Sequence, residues 1–142
     1  MKNFNELVQL ALPTIVDIPA PRQLDEQLIA SCKDYSDAVC LCLESRLRRI
    51  REGEIAEYLG FSAPHLAKVK GGRGYLTTDQ ELILQRLCSN WAIKQYAEMR
   101  EREIERLIEQ DRPALSADME AMVMRLVEQR LAEHQQRAVR SA

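Results

Sequence analysis

The sequence predicts an all-α fold, and three observations carry that expectation. Apolar residues make up 46% of the chain and aromatic ones only 5%, which suits an aliphatic interior packed between helices. The five glycines and five prolines fall in a few places, whereas a β-sandwich needs turn residues every ~8–12 positions. Long stretches repeat apolar side chains at intervals of three and four, the spacing of one helix face. At 142 residues there is room for one domain of ordinary size and a helical extension.

Taken in order, residues 3–12 read as a short amphipathic helix. Pro13, Pro19 and Pro21 exclude continuous helix beyond it and define a linker. Ile15, Val16 and Ile18 mark that linker as packed against something. Residues 24–32 predict a second short helix, with Leu24, Leu28 and Ile29 on one side. From 37 to 51 the series Val39, Leu43, Leu47, Ile50 predicts a full amphipathic helix. Its end would carry Arg46, Arg48, Arg49 and Arg51, where basic groups either offset the helix dipole or meet phosphate.

Further on, Thr78, Asp79, Gln80 and Glu81 read as a capping box. The helix it opens presents Leu82, Ile83, Leu87 and Cys88, and Ser89 and Asn90 break it before Trp91. Residues 91–110 show Ile93, Tyr96, Ala97, Ile104, Leu107 and Ile108, with Glu98 and Arg102 as an i,i+4 pair in the favourable order. Asp111, Arg112 and Pro113 interrupt, and Ser116 caps a last helix bearing Met119, Met122, Val123, Leu126, Val127 and Leu131. The expected organisation is an N-terminal helical extension with a Pro-containing linker (1–34), a central domain (35–90) and a C-terminal helical hairpin (91–142). Little domain remains to cover the last apolar stripe, so the hairpin is the expected dimerisation element.

The central residues 52–71 carry the most information. Ile55 and Leu59 are four apart and share a helix face. Ala56 suits a close helix crossing, and Gly60 suits a positive φ at a turn. Ser62 is placed to cap a second helix, and Pro64 falls in its first turn, where a missing N–H costs little. Phe61 sits between them. Leu66 and Val69 point inward, and Gly71 and Gly72 end the helix. This is the packing code of two short helices about a tight turn.

These residues resemble the phage-repressor-like (Xre-type) helix-turn-helix family. The matches are Ala56 at the small position, Gly60 at the turn, Leu66 and Val69 in the second helix, and the glycine- and arginine-containing loop 70–76. The resemblance covers roughly 38–90. It implies a phage-repressor-like helix-turn-helix bundle, binding of double-stranded DNA as a homodimer, and a transcriptional regulator of phage or mobile-element type. Carried over to this chain, base contact falls to Ser62, Ala63, Pro64, Ala67 and Lys68, with His65 adjacent. Tyr58, Lys70, Arg73 and Tyr75 suit the DNA backbone. The set departs from the family pattern in lacking Arg, Gln and Asn, the side chains that read base edges in pairs. Readout would then come from few contacts and DNA shape. An alternative is a protein-binding adaptor or inhibitor, antirepressor-like, that does not read DNA.

Charge supports the first reading only through its distribution. The whole chain is at −2. Between residues 44 and 75, however, seven Lys/Arg face four Glu, while the remainder carries an acidic excess. Cys32, Cys40, Cys42 and Cys88 show no C-x-x-C spacing, and His65 and His134 are far apart, so core thiols in a cytoplasmic protein are expected and neither metal nor cofactor is. The chain starts without a leader pattern and has no membrane-length apolar run. No nucleophile–base motif or phosphate-binding glycine loop points to an enzyme.

Overall fold

Short polar side chains set where the helices of this protein begin. The computed structural model describes residues 3–141, with side chains described except at 112–116 and 138–141. Asn3, Asp25, Asp34, Ser62 and Thr77 each accept a backbone N–H from the turn that follows, a bond worth ~1 kcal/mol per cap. The helices are α1 (Phe4–Ile15), α2 (Glu26–Ala30), α3 (Tyr35–Glu44), α4 (Glu52–Tyr58), α5 (Ala63–Lys70), α6 (Thr78–Cys88) and α7 (Ala92–Ser141). No strand forms among the described residues, so the fold is all-α; an isolated bridge joins Arg22 to Asn90. No described helix is long and apolar enough to cross a membrane.

The chain divides into two compact units, Met1–Arg100 and Glu101–Ala142. In the first, α3, α4, α5 and α6 pack around Val39, Leu43, Ile55, Leu59, Leu66 and Leu84, all at most 1% exposed. The N-terminal residues are part of this core and not an extension to it. Leu7 and Ala11 of α1 are buried where α1 meets α4 and α6, and Ile18, Leu24 and Ile29 are buried with them. Helix α1 also runs through Pro13 to Ile15, beyond its expected end. Pro13 stands in the last turn, where it forfeits one N–H bond, and extension keeps Ile15 packed against the core.

Two further boundaries differ from expectation. Helix α3 stops at Glu44, and residues 45–51 form a turn-rich connection. Its last carbonyls are claimed by side chains: Asn90 Nδ2 donates to Cys42 O at 3.0 Å, Arg46 Nη1 to Leu43 O at 2.8 Å and Arg22 Nη2 to Ser45 O at 3.3 Å. Leu47 consequently lies 54% exposed. The capping box of α6 is centred one residue earlier than expected, on Thr77 and Gln80, whose side chains each accept the other's backbone N–H. Leu82 and Leu28 face solvent, while Leu84 is buried.

The break between α6 and α7 is a polar knot in a dry interior. Ser89 adopts φ 57 and, like Asn90, is 0% exposed. Asn90 donates to Cys42 O and Cys88 O and accepts from Ala92 N, capping α7. Arg22 N donates to Ser89 O, Trp91 N donates to Arg22 O, and Ser89 Oγ donates to Pro19 O. Gln95 pairs with both backbone groups of Leu24, at 2.9 and 3.0 Å. The buried side chains of Ser89, Asn90 and Gln95 thereby find partners far along the chain.

Helix α7 replaces the expected C-terminal hairpin. The backbone remains helical through 111–113, with 50 residues in the element. Glu, Arg, Ala, Leu and Met on both sides are strong helix formers, and a single proline removes only one intrahelical donor. Ser116, expected as a cap, lies outside the described side chains. In the second unit Ile104, Leu107 and Ile108, and then Met119 to Leu131, present apolar side chains to solvent.

Asn90→Ala strips three hydrogen bonds from a site without water access. It is expected to cost about 2–4 kcal/mol, seen as a lower urea midpoint with the folded helicity unchanged.

Candidate nucleic-acid interface

Helix α5 has only eight residues, so its direction depends on what holds its two ends. At the start, Gly60 takes φ 81. Its N–H bonds Glu57 O and that of Phe61 bonds Ala56 O, both at 3.0 Å. This is the paired 5→2 and 6→1 pattern of a Schellman turn. A Cβ at Gly60 would stand 2.9 Å from Leu7 Cδ2, so both the backbone angle and the contact with α1 select glycine. Gln80 Nε2 donates to Leu59 O at 3.0 Å, tying the turn to α6. Ser62 Oγ then accepts from His65 N at 3.3 Å, as a cap should.

The same device recurs at the far end. Gly72 takes φ 82, its N–H bonds Val69 O, and Arg73 N bonds Lys68 O at 2.8 Å. Arg73 thus leaves the helix in a fixed direction. The neighbouring backbone is anchored by Tyr35, whose hydroxyl accepts from Leu76 N at 3.2 Å and whose ring meets that of Tyr75 at 5.1 Å.

Between these ends Leu66 and Val69 are buried and define the inward side. At about 100° per residue, Pro64, Ala67 and Lys68 fall opposite them. Ser62, Ala63, Pro64, His65, Ala67 and Lys68 are all exposed, as are Arg73 and Tyr75. Among the described residues of the first unit, no other segment covers this face. His65 packs edge-on against Phe61, with ring centroids 4.6 Å apart, which limits where its imidazole can reach.

Two residues expected on the same surface are committed elsewhere. Lys70 Nζ lies 2.7 Å from Glu52 Oε1, which offsets its charge locally. The Tyr58 hydroxyl bonds Thr14 and Glu54, at 2.6 and 3.1 Å, and so belongs to the contact with α1. The Lys70–Glu52 pair has a useful consequence. It sets the first turn of α4 beside the last turn of α5, and the connection just before α4 leads into that contact. Arg48, Arg49 and Arg51 in that connection are exposed. The sequence pattern places them at a helix end, because it carries no sign of the distant Asn90 and Arg22 side chains that meet the end of α3.

The surface therefore combines a small, nearly apolar centre (Ala63, Pro64, Ala67) with cationic groups at its C-terminal side (Lys68, Arg73), and Arg48, Arg49 and Arg51 are exposed in the connection before α4. A groove of about 370 Å³ adjoins its N-terminal side, with Phe4, Leu59, Phe61, His65, Tyr75 and Asp79 among its lining residues. The cations suit phosphate, and alanine methyls suit the thymine methyl. The central carboxylates of α4 are less favourable neighbours: Glu54 and Glu57 are exposed. No protein-family model, curated protein or solved structure matches the chain.

Burial, with Glu81 nearby, pushes the Tyr35 hydroxyl up to about 12. Its ordinary value is about 10, so unfolded chains release this proton first. The contribution is complete below pH 10 and is lost as pH rises through 12. Over that interval the urea midpoint of the native protein should fall more than that of Tyr35→Phe, and absorbance at alkaline pH should show one phenolate step that the variant lacks.

Proposed function

We propose that this protein is a sequence-specific, double-stranded-DNA-binding transcriptional regulator that inserts the exposed face of α5 into the major groove. The observation that carries the reading is the division of α5. Leu66 and Val69 are at most 1% exposed, while Ser62 to His65, Ala67 and Lys68 remain open to solvent between two glycine-terminated turns. A helix held so rigidly with an uncovered outer side is built to meet something. Cations on its flank favour a polyanion.

Within this reading, Lys68 and Arg73 hold phosphates from the helix side, and Arg48, Arg49 and Arg51 hold them from the connection before α4. Ala63, Pro64 and Ala67 pack against base edges. Selectivity then rests on methyl contact and on groove width more than on paired hydrogen bonds. A homodimer through the C-terminal helix supplies the second half-site expected of such modules.

One observation favours a second reading, an adaptor that binds protein. The groove beside His65 and Tyr75 sets Phe4, Leu7, Leu59 and Phe61 beside Asn3, Thr77, Asp79 and Gln80, a mixed lining that suits a protein segment. Binding of a protein segment there would depend weakly on salt.

Lys68→Ala combined with Arg73→Ala should leave folding unchanged and weaken DNA binding on the order of 10–100-fold at moderate salt. The log–log salt slope should become shallower by about 2, near 0.9 per lost phosphate contact. Selection of binding sites from a random duplex library with the purified protein tests the reading directly. Recovery of no enriched sequence, together with salt-insensitive capture of a protein partner, would replace it by the adaptor.

A further inference from the structure

The second unit holds an apolar strip with an acidic and a basic residue placed at equal distances from its middle. Met119, Met122, Val123, Leu126, Val127 and Leu131 are between 47% and 64% exposed. At about 100° per residue they occupy roughly half the circumference of the helix, and Glu120 and Arg130, both exposed, lie in the same arc. The earlier group Ile104, Leu107 and Ile108 centres about 100° away around the helix by the same geometry, so one straight seam does not join the two groups.

Counted outward from residue 125, most of the strip matches itself in reverse. Met119 is as far from it as Leu131, Val123 as far as Val127, and Glu120 as far as Arg130, while Met122 falls level with Glu128. We infer that this segment pairs antiparallel with the same segment of a second copy, its two-fold axis at the level of residue 125. Met119 and Val123 then meet Leu131 and Val127, and Glu120 of each copy stands across from Arg130 of the other. A parallel pair in register would instead set Glu120 beside Glu120 and Arg130 beside Arg130 within an apolar surround, where like charges are costly. Charge complementarity therefore selects the antiparallel arrangement, and the occupant of this face is a second copy of the chain.

The contact is small. Half-exposed aliphatic side chains over residues 119–131, which span about 18 Å of helix, offer several hundred Å² per copy, less than the ~800 Å² of a standard interface. The dimer should accordingly dissociate on dilution, and its two reciprocal ion pairs should influence its stability measurably. This inference rests on the reading of the C-terminal helix as a self-association element. It needs no DNA, so its test is separate from that of α5.

Sedimentation velocity of the full chain without DNA, over a concentration series, should show a monomer–dimer equilibrium. Leu126→Asp should raise its dissociation constant at least tenfold, and so should Glu120→Arg or Arg130→Glu alone. The combination Glu120→Arg with Arg130→Glu should return it close to the native value. Oxidation of an equimolar mixture of Val123→Cys and Val127→Cys chains should give a cross-link that peptide mass mapping assigns to 123 with 127. A dominant 123-to-123 cross-link in Val123→Cys alone, a double charge swap that fails to restore pairing, or a monomer at every concentration would each overturn the proposal.

Discussion

Everything on the exposed surface depends on a backbone constraint, the left-handed conformation of Gly60. Helix α5 has two buried side chains and little else of its own to orient it. Hydrophobic burial is non-directional and would tolerate several tilts of so short a helix. The hydrogen bonds of Gly60 and Phe61 to α4 remove that freedom, because they fix the angle at which the chain leaves one helix and enters the next. Gln80 then locks the same turn from a third direction. The outward aim of Pro64, Ala67 and Lys68 follows from that geometry, as does the placement of the Gly72 turn and Arg73 beyond it.

What was legible in the sequence was local chemistry. Ser62 as a cap, Gly60 at positive φ, the inward Leu66 and Val69, and the break at Ser89–Asn90 all follow from residues within a few positions of one another. What was hidden depends on partners far along the chain. Helix α3 ends at Glu44 because Asn90 and Arg22 take its carbonyls, and neither is a local stop signal. Lys70 loses its freedom to Glu52, 18 positions away. The prolines misled in a consistent way. Pro13 stands in the last turn of α1 and Pro113 among strong helix formers, and the helix carries through both, so the expected linker start and the expected hairpin do not occur.

The surface is electrostatically economical. Its cations are gathered at one flank, and carboxylates stay close by on α4. On the proposed reading such an arrangement would give modest steering at physiological ionic strength, where exposed charges are screened beyond ~8 Å, and would leave the small apolar residues of α5 to discriminate. In the second unit the proposed pairing would likewise take its direction from one acidic and one basic residue set within an apolar strip.

Cys42 and Cys88 lie on either side of the polar knot, each 0% exposed. Their mutual hydrogen bond, reinforced by burial, pushes the Cys42 thiol well above its ordinary range. Alkylating reagents need a solvent-accessible thiolate, and neither requirement is met at Cys42 while α3 and α6 remain together. Its rate of modification is therefore a built-in clock for the opening of the core, readable from the native chain without any attached probe.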